Sequence, residues 1–140
     1  MTRLSREKGK RGEREVVSII HDLLGVNASR RVRQHDGDSD VIGVPGWSIE
    51  VKRRAVVTEG MKRQWWDQAC VQANDDERPC VWYRANRSGW RVIWSVSECL
   101  SGSYWGGWEY CVESSPEAWA AVVRECYEFT AKEKEAWQEA

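Results

Sequence analysis

The stretch that most constrains this chain runs from Asp40 to Arg54, DVIGVPGWSIEVKRR. Two short apolar runs, Asp40–Val44 and Ser48–Val51, are joined by Pro45-Gly46, a pair that turns a chain sharply, so the segment reads as a β-hairpin or tight strand connection. Alternate residues of a strand project to the same side. Ser48-Ile49-Glu50-Val51-Lys52 therefore places Glu50 and Lys52 on one face and Ile49 and Val51 on the other. A carboxylate beside an ammonium is an unusual load for an otherwise apolar strand. The plain alternative is a cross-strand salt bridge, which contributes about 0–1 kcal/mol when exposed.

The flanking segments have a helical period. Val16, Val17, Ile20, Leu23 and Leu24 predict a helix over 6–24, with Ser5 as N-cap and Gly25 as its stop. Residues 29–34 suit a short strand or extended entry segment, and Asp36-Gly37-Asp38 a turn. Thr58 can cap a second helix to about Asn74, with Met61, Trp65, Trp66, Ala69 and Cys70 on one side. Pro79 precedes a strand over Cys80–Arg84, Asn86–Gly89 turns the chain, and Trp90–Val96 forms another strand. Ser115 caps and Pro116 opens a last helix over about 116–138, with Trp119, Val122, Val123, Cys126 and Phe129 inside. The order α-β-β-β-α-β-β-α predicts an α/β fold with a central mixed β-sheet flanked by helices. At 140 residues and 16.2 kDa this is expected to be a single domain, 1–140, without repeat or linker.

Several function classes are excluded early. Mean hydropathy is −0.67, and no apolar run approaches the roughly 20 residues of a membrane span. The charged start, MTRLSREKGKRGEREVV, lacks the apolar segment of a secretory signal, which leads to the expectation of a cytoplasmic protein. Cys70, Cys80, Cys99, Cys111 and Cys126 form no C-x-x-C pair and have no nearby His, arguing against zinc and for reduced, buried thiols. Ten tryptophans accompany one phenylalanine. Trp82, Trp94 and Trp119 lie on apolar faces and read as core. Trp47, Trp105, Trp108 and Trp137 fall in turns and the tail, where an interface or stacking on nucleic-acid bases is an equal alternative.

The net charge of −1 argues against a polyanion partner until the chain is divided. Residues 1–63 carry 14 Lys/Arg against 9 Asp/Glu, a net of +5, and residues 64–140 carry 7 against 13, a net of −6. The basic groups cluster at Arg3–Arg14, at Arg30, Arg31 and Arg33, and at Lys52–Arg54, a distribution suited to phosphate contacts.

Asp40 lies ten residues before Glu50, at the start of the preceding apolar run. Two carboxylates converging from adjacent strand ends form a hard, oxygen-rich site for Mg²⁺ or Mn²⁺, and an adjacent lysine can orient water or neutralise phosphate charge. Those are the parts for metal-assisted phosphodiester hydrolysis. A calcium loop over Asp36, Asp38 and Asp40 fails, because its sixth position would be Val41 and its twelfth Trp47.

Three segments together resemble the PD-(D/E)-x-K nuclease superfamily, in particular the small Holliday junction resolvases of archaea and phages. Lys8-Gly9-Lys10-Arg11-Gly12-Glu13-Arg14-Glu15-Val16-Val17 looks like the opening helix, K-G-x-x-x-E-R-E followed by apolar residues. Ser39-Asp40-Val41-Ile42-Gly43 looks like the P-D strand, with Ser39 in place of the signature's proline. Ile49-Glu50-Val51-Lys52 matches the (D/E)-x-K strand. The likeness covers roughly residues 8–84.

The resemblance implies a restriction-endonuclease-like core and a Mg²⁺-dependent endodeoxyribonuclease, with Mn²⁺ as substitute, no small-molecule cofactor and no membrane partner. Its metal ligands would be Asp40, Glu50, the Val51 carbonyl and Glu13, with Glu15 the alternative to Glu13. Lys52 would activate water. Gln68 would support the site, Gln64 and Gln72 lying on nearly the same helical face. Lys8, Lys10, Arg11, Arg14, Arg30, Arg31, Arg33, Arg53 and Arg54 would contact DNA. A four-way junction as substrate implies a twofold homodimer. The alternatives are a nuclease of repair, recombination or restriction acting on flaps, ends or duplex, and a DNA-binding module without turnover.

Overall fold

The structure, a computed structural model, describes residues 3–31, 40–100 and 106–125. Arg33, Ser39, the turn expected at 36–38, Trp105, Trp137 and the helix expected to continue past Glu125, with Cys126 and Phe129, lie outside the described residues.

Three helices, α1 (Arg3–Leu24), α2 (Glu59–Gln72) and α3 (Pro116–Glu125), flank a sheet of β1 (Ser29–Arg30), β2 (Val41–Ile42), β3 (Trp47–Arg53), β4 (Arg78–Arg84), β5 (Arg91–Ser95) and β6 (Cys111–Ser114). The strands lie side by side in chain order. β3 and β4 are parallel and every other neighbouring pair is antiparallel. A parallel pair needs a crossover of a dozen or more residues, and the 14-residue α2 provides it. The expected single-domain α/β architecture with a mixed sheet is therefore what forms.

Both sheet faces are covered, which is why β3 and β4 are buried along most of their length. On one face Val16 and Ile20 of α1 and Trp119, Ala120 and Val123 of α3 pack on Val41, Ile49, Val51, Trp82 and Trp94. On the other, Trp65, Trp66 and Ala69 of α2 pack on Val81, Tyr83 and Ile93. Local signals end the helices as expected. Thr58 Oγ1 accepts the Met61 N–H at 3.2 Å and Ser115 Oγ the Ala118 N–H at 3.1 Å. Gly25, at φ 73°, closes α1 with its N–H on the His21 carbonyl at 2.8 Å. No helix among the described residues is long and apolar enough to cross a membrane.

Four expectations change. Helix α1 starts at Arg3, so Ser5 lies inside it instead of capping it. Pro79 belongs to β4, at a level where β5 no longer pairs, so its missing N–H interrupts no ladder to that strand. β6 lacks the apolar run that marks a strand, because as a part-exposed edge strand it needs only one packed face. Trp47 is neither in a turn nor at a surface. It opens β3, is 3% exposed, and meets Trp119 edge-to-face at 5.5 Å. Trp82, Trp94 and Trp119 are buried as expected, and Trp65, Trp66 and Trp90 join them. Trp108 is half-buried against the α2 side. The tryptophans of the described segments thus serve as core residues where a chain richer in Leu and Phe would use those.

Candidate active site

Backbone pairing aims Asp40. Its N–H donates to the Ile49 carbonyl at 3.0 Å and its carbonyl accepts the Arg31 N–H at 3.0 Å, extending the three-strand ladder of β1, β2 and β3 by one step. The side chain then lies against β3, where Oδ2 accepts the Val51 N–H at 2.8 Å. Asp40 is 7% exposed and Glu50 2%. The strand alternation holds: Ile49 and Val51 face α1 and α3, and Glu50 with Lys52 faces α2. Lys52 is part-exposed, and its partner in β4 is Tyr83.

An ionised carboxylate this deep needs donors, because desolvation strongly disfavours its charge. One is Gln72, the last residue of α2. With its amide nitrogen facing Glu50, it donates to Oε2 at 3.1 Å and also to Oε1. The Glu50 charge is felt by the buried Cys80 thiol, whose pKa burial, and then Glu50, push well above its usual value.

Gln68, the glutamine expected at the site, is exposed instead. The chain enters α2 from the end of β3 and leaves it for the start of the parallel β4, so α2 runs back along the strands. Its last turn returns to the level of Glu50, and Gln72 continues the buried stripe of Trp65, Trp66 and Ala69. That return direction follows from the β-α-β order and is the signal that could have singled out Gln72.

The two glutamates of α1 take different partners. Glu13 Oε1 pairs with Arg30 Nε at 3.1 Å, and Arg30 sits opposite Val41 in the β1–β2 ladder, next to Asp40. Glu15 Oε1 pairs with Arg84 Nη1 at 2.7 Å, where β4 ends beside Arg53. Of the two, Glu13 is the one directed to the Asp40 side. Gly12 allows the helix this close: a Cβ there would stand 3.3 Å from Arg53 Cβ and 3.7 Å from Val51 Cγ1. Among the described residues no group of three or more His, Cys, Asp or Glu side chains is gathered tightly enough to hold a metal ion. The structure thus brings Asp40 onto the Glu50–Val51 backbone and leaves Glu13 on Arg30.

Asp40 and Glu50 fit a divalent cation by their chemistry, being acceptor-only oxygens on neighbouring strands, both nearly withdrawn from water. Of the basic candidates, Lys10, Arg11, Arg14, Arg31 and Arg54 are exposed and Lys8, Arg30 and Arg53 part-exposed. Arg53 Nη1 donates to Asn86 Oδ1 at 2.9 Å, and Arg54 lies 5.7 Å from the Trp65 ring centre.

The model of a family described as "Phage putative PDDEXK endonuclease" matches residues 4–110, a span that contains all of these side chains. Among solved structures, the chain is similar to Hjc, a Holliday junction resolvase from the archaeal hyperthermophile Archaeoglobus fulgidus. The two share 18% identity over 91% of this chain and 99% of that one, with a TM-score of 0.47. No curated protein matches the sequence.

Proposed function

This chain belongs to the phage PDDEXK endonuclease family, and from that premise we propose that it is a divalent-metal endodeoxyribonuclease whose preferred substrate is the four-way DNA junction. The observation that carries the proposal is the pair of buried carboxylates, Asp40 and Glu50, on neighbouring strands, with Lys52 on the same face as Glu50. The junction preference follows from the likeness of the opening helix, Lys8–Val17, to that of the small junction resolvases.

In this reading Asp40, Glu50 and the Val51 carbonyl hold Mg²⁺ or Mn²⁺, and Glu13 holds a second ion or orients water. A cation held there would supply Lewis acidity toward the phosphodiester. Lys52 orients the attacking water and balances the charge that gathers on the phosphate. Gln72 keeps Glu50 in its place. The basic side chains of α1, β1 and the end of β3 hold the DNA backbone. A junction is cut on two symmetry-related strands, so two copies related by a twofold axis act together.

The test is incubation with Mg²⁺ of a labelled four-way junction beside a linear duplex of the same sequence. Paired symmetric nicks in the junction alone are the expected result. Cutting of both makes the protein a broader nuclease of repair, recombination or restriction, and binding without cutting refutes the enzyme. Asp40→Ala, Glu50→Ala and Lys52→Ala should each lower cleavage at least about 100-fold while circular dichroism and DNA binding persist. Undiminished cleavage by Glu50→Ala would remove it from the site.

A further inference from the structure

Where β4 turns into β5, Arg87 stands at the tip with φ 62°. A residue with a Cβ resists this left-handed conformation, which glycine and asparagine adopt most readily. Asn86 precedes it and Gly89 follows two residues later, yet neither takes the positive φ. A strained arginine at such a tip is a reason to look for a role in the side chain.

The turn around it is firmly held. Asn86 N–H donates to the Ala55 carbonyl at 3.2 Å, Arg54 N–H to the Arg84 carbonyl at 3.1 Å, and Ser88 N–H to the Ala85 carbonyl at 3.2 Å. Arg84 Nε donates to the Ser88 carbonyl at 2.7 Å, and Arg53 fixes Asn86 from the end of β3. In the β3–β4 register Lys52 stands beside Tyr83 and Arg53 beside Arg84, so the turn rises from the sheet end next to the candidate site. Helix α1 crosses that same end, through Gly12 on Arg53 and Glu15 on Arg84. Arg53, Arg54 and Arg84 are each tied to neighbours. Arg87 alone of these four is exposed and without a hydrogen-bond or ion-pair partner among the described residues.

We propose that Arg87 is a DNA-backbone contact, its guanidinium taking a phosphate that flanks the scissile one beside Asp40, Glu50 and Lys52. This rests on the nuclease reading and adds to it a contact from the acidic part of the sequence. A planar, always-charged fork suits phosphate oxygens, and neighbouring strands only about 5 Å apart bring the turn alongside the Glu50 strand. The rigid turn supplies register: an arginine at a fixed height above the sheet end sets which phosphate enters the site.

The test compares wild type, Arg87→Gly and Arg87→Lys in binding to a labelled four-way junction without divalent metal, over a series of salt concentrations, beside their thermal midpoints. Glycine removes the charge and satisfies the positive φ, so its midpoint should equal or exceed that of wild type. Its affinity should fall severalfold, and the slope of log affinity against log salt should shrink by about 0.9, the loss of one phosphate contact. Arg87→Lys should keep the slope. Affinity and slope unchanged in Arg87→Gly would overturn the assignment while leaving the nuclease reading intact, as would equal losses in both variants tracking a lowered midpoint. Failure of the wild type to bind DNA would overturn the nuclease reading and this contact with it.

Discussion

At the scale of single residues, Gln72 and Glu50 form a unit in which one end-of-helix amide holds a carboxylate that is 2% exposed. Removing a donor from a buried charged group leaves its desolvation uncompensated. Gln72→Ala should therefore lower stability by about 1–3 kcal/mol, read from urea unfolding. Gln72→Glu sets a second carboxylate against the first, so its loss should be greater at pH 7 than at pH 4, where protonation removes the repulsion. A Gln72→Glu penalty that does not vary with pH would mean that the two side chains do not meet. The sequence placed a glutamine of α2 near the site but pointed to Gln68, because helical periodicity alone does not say which turn of α2 lies level with Glu50.

At the scale of elements, α1 is positioned by a small patch. Gly12 lies where a Cβ would meet Arg53 Cβ at 3.3 Å, tighter than ordinary van der Waals separation, with Trp90 Cη2 at 3.4 Å. Gly12→Val should push the helix off β3, costing about 1–3 kcal/mol as overpacked sites do. Glu13 is the next residue, so cleavage measured well below the unfolding midpoint should also fall. Full activity in a destabilised Gly12→Val would separate the helix position from the site. The helix itself was legible, since its apolar stripe is local. Its distance from β3 was not, because Gly12 reads as a mere weak point in a helix until the strand beneath it is known. β6 is not legible in the sequence for a similar reason: an edge strand is defined by the strand beside it.

At the scale of the whole molecule, ion pairs join parts far apart in sequence. Lys62 of α2 lies 2.9 Å from Glu59 and 2.9 Å from Glu113 of β6, and Arg91 of β5 approaches Glu113 at 3.3 Å. Burial would raise the Glu113 pKa, but hydrogen bonds from Lys62 and Tyr83 outweigh it and hold the carboxyl below its usual range. Burial would lower the Lys62 pKa, and its bonds to Glu59, Glu113 and Tyr83 reverse that and raise it. The Glu113 contribution is thus present above its unfolded pKa and lost as pH falls through the lowered folded value. That of Lys62 is present below its unfolded pKa and lost as pH rises through the raised one. Glu113→Gln should cost about 0–1 kcal/mol near pH 7, less in high salt, because the Glu113 side chain is still part-exposed to solvent. That difference should vanish in acid, as followed by denaturation at several pH values; a constant difference would place the effect outside the ion pair.

The same scale separates what the sequence determined from what the tertiary structure decided. Apart from β6, the element types and their order, and the shared face of Glu50 and Lys52, were set by periods of 3.6 and 2 that any short segment carries within itself. The choice of Gln72, the direction of Glu13 to Arg30 and of Glu15 to Arg84, the burial of Trp47 against Trp119, and the holding of the Arg87 turn by Arg53 and Ala55 were decided only on folding. Each depends on distances between segments far apart in the chain. Those distances come from strand register and helix packing, which local periodicity does not encode.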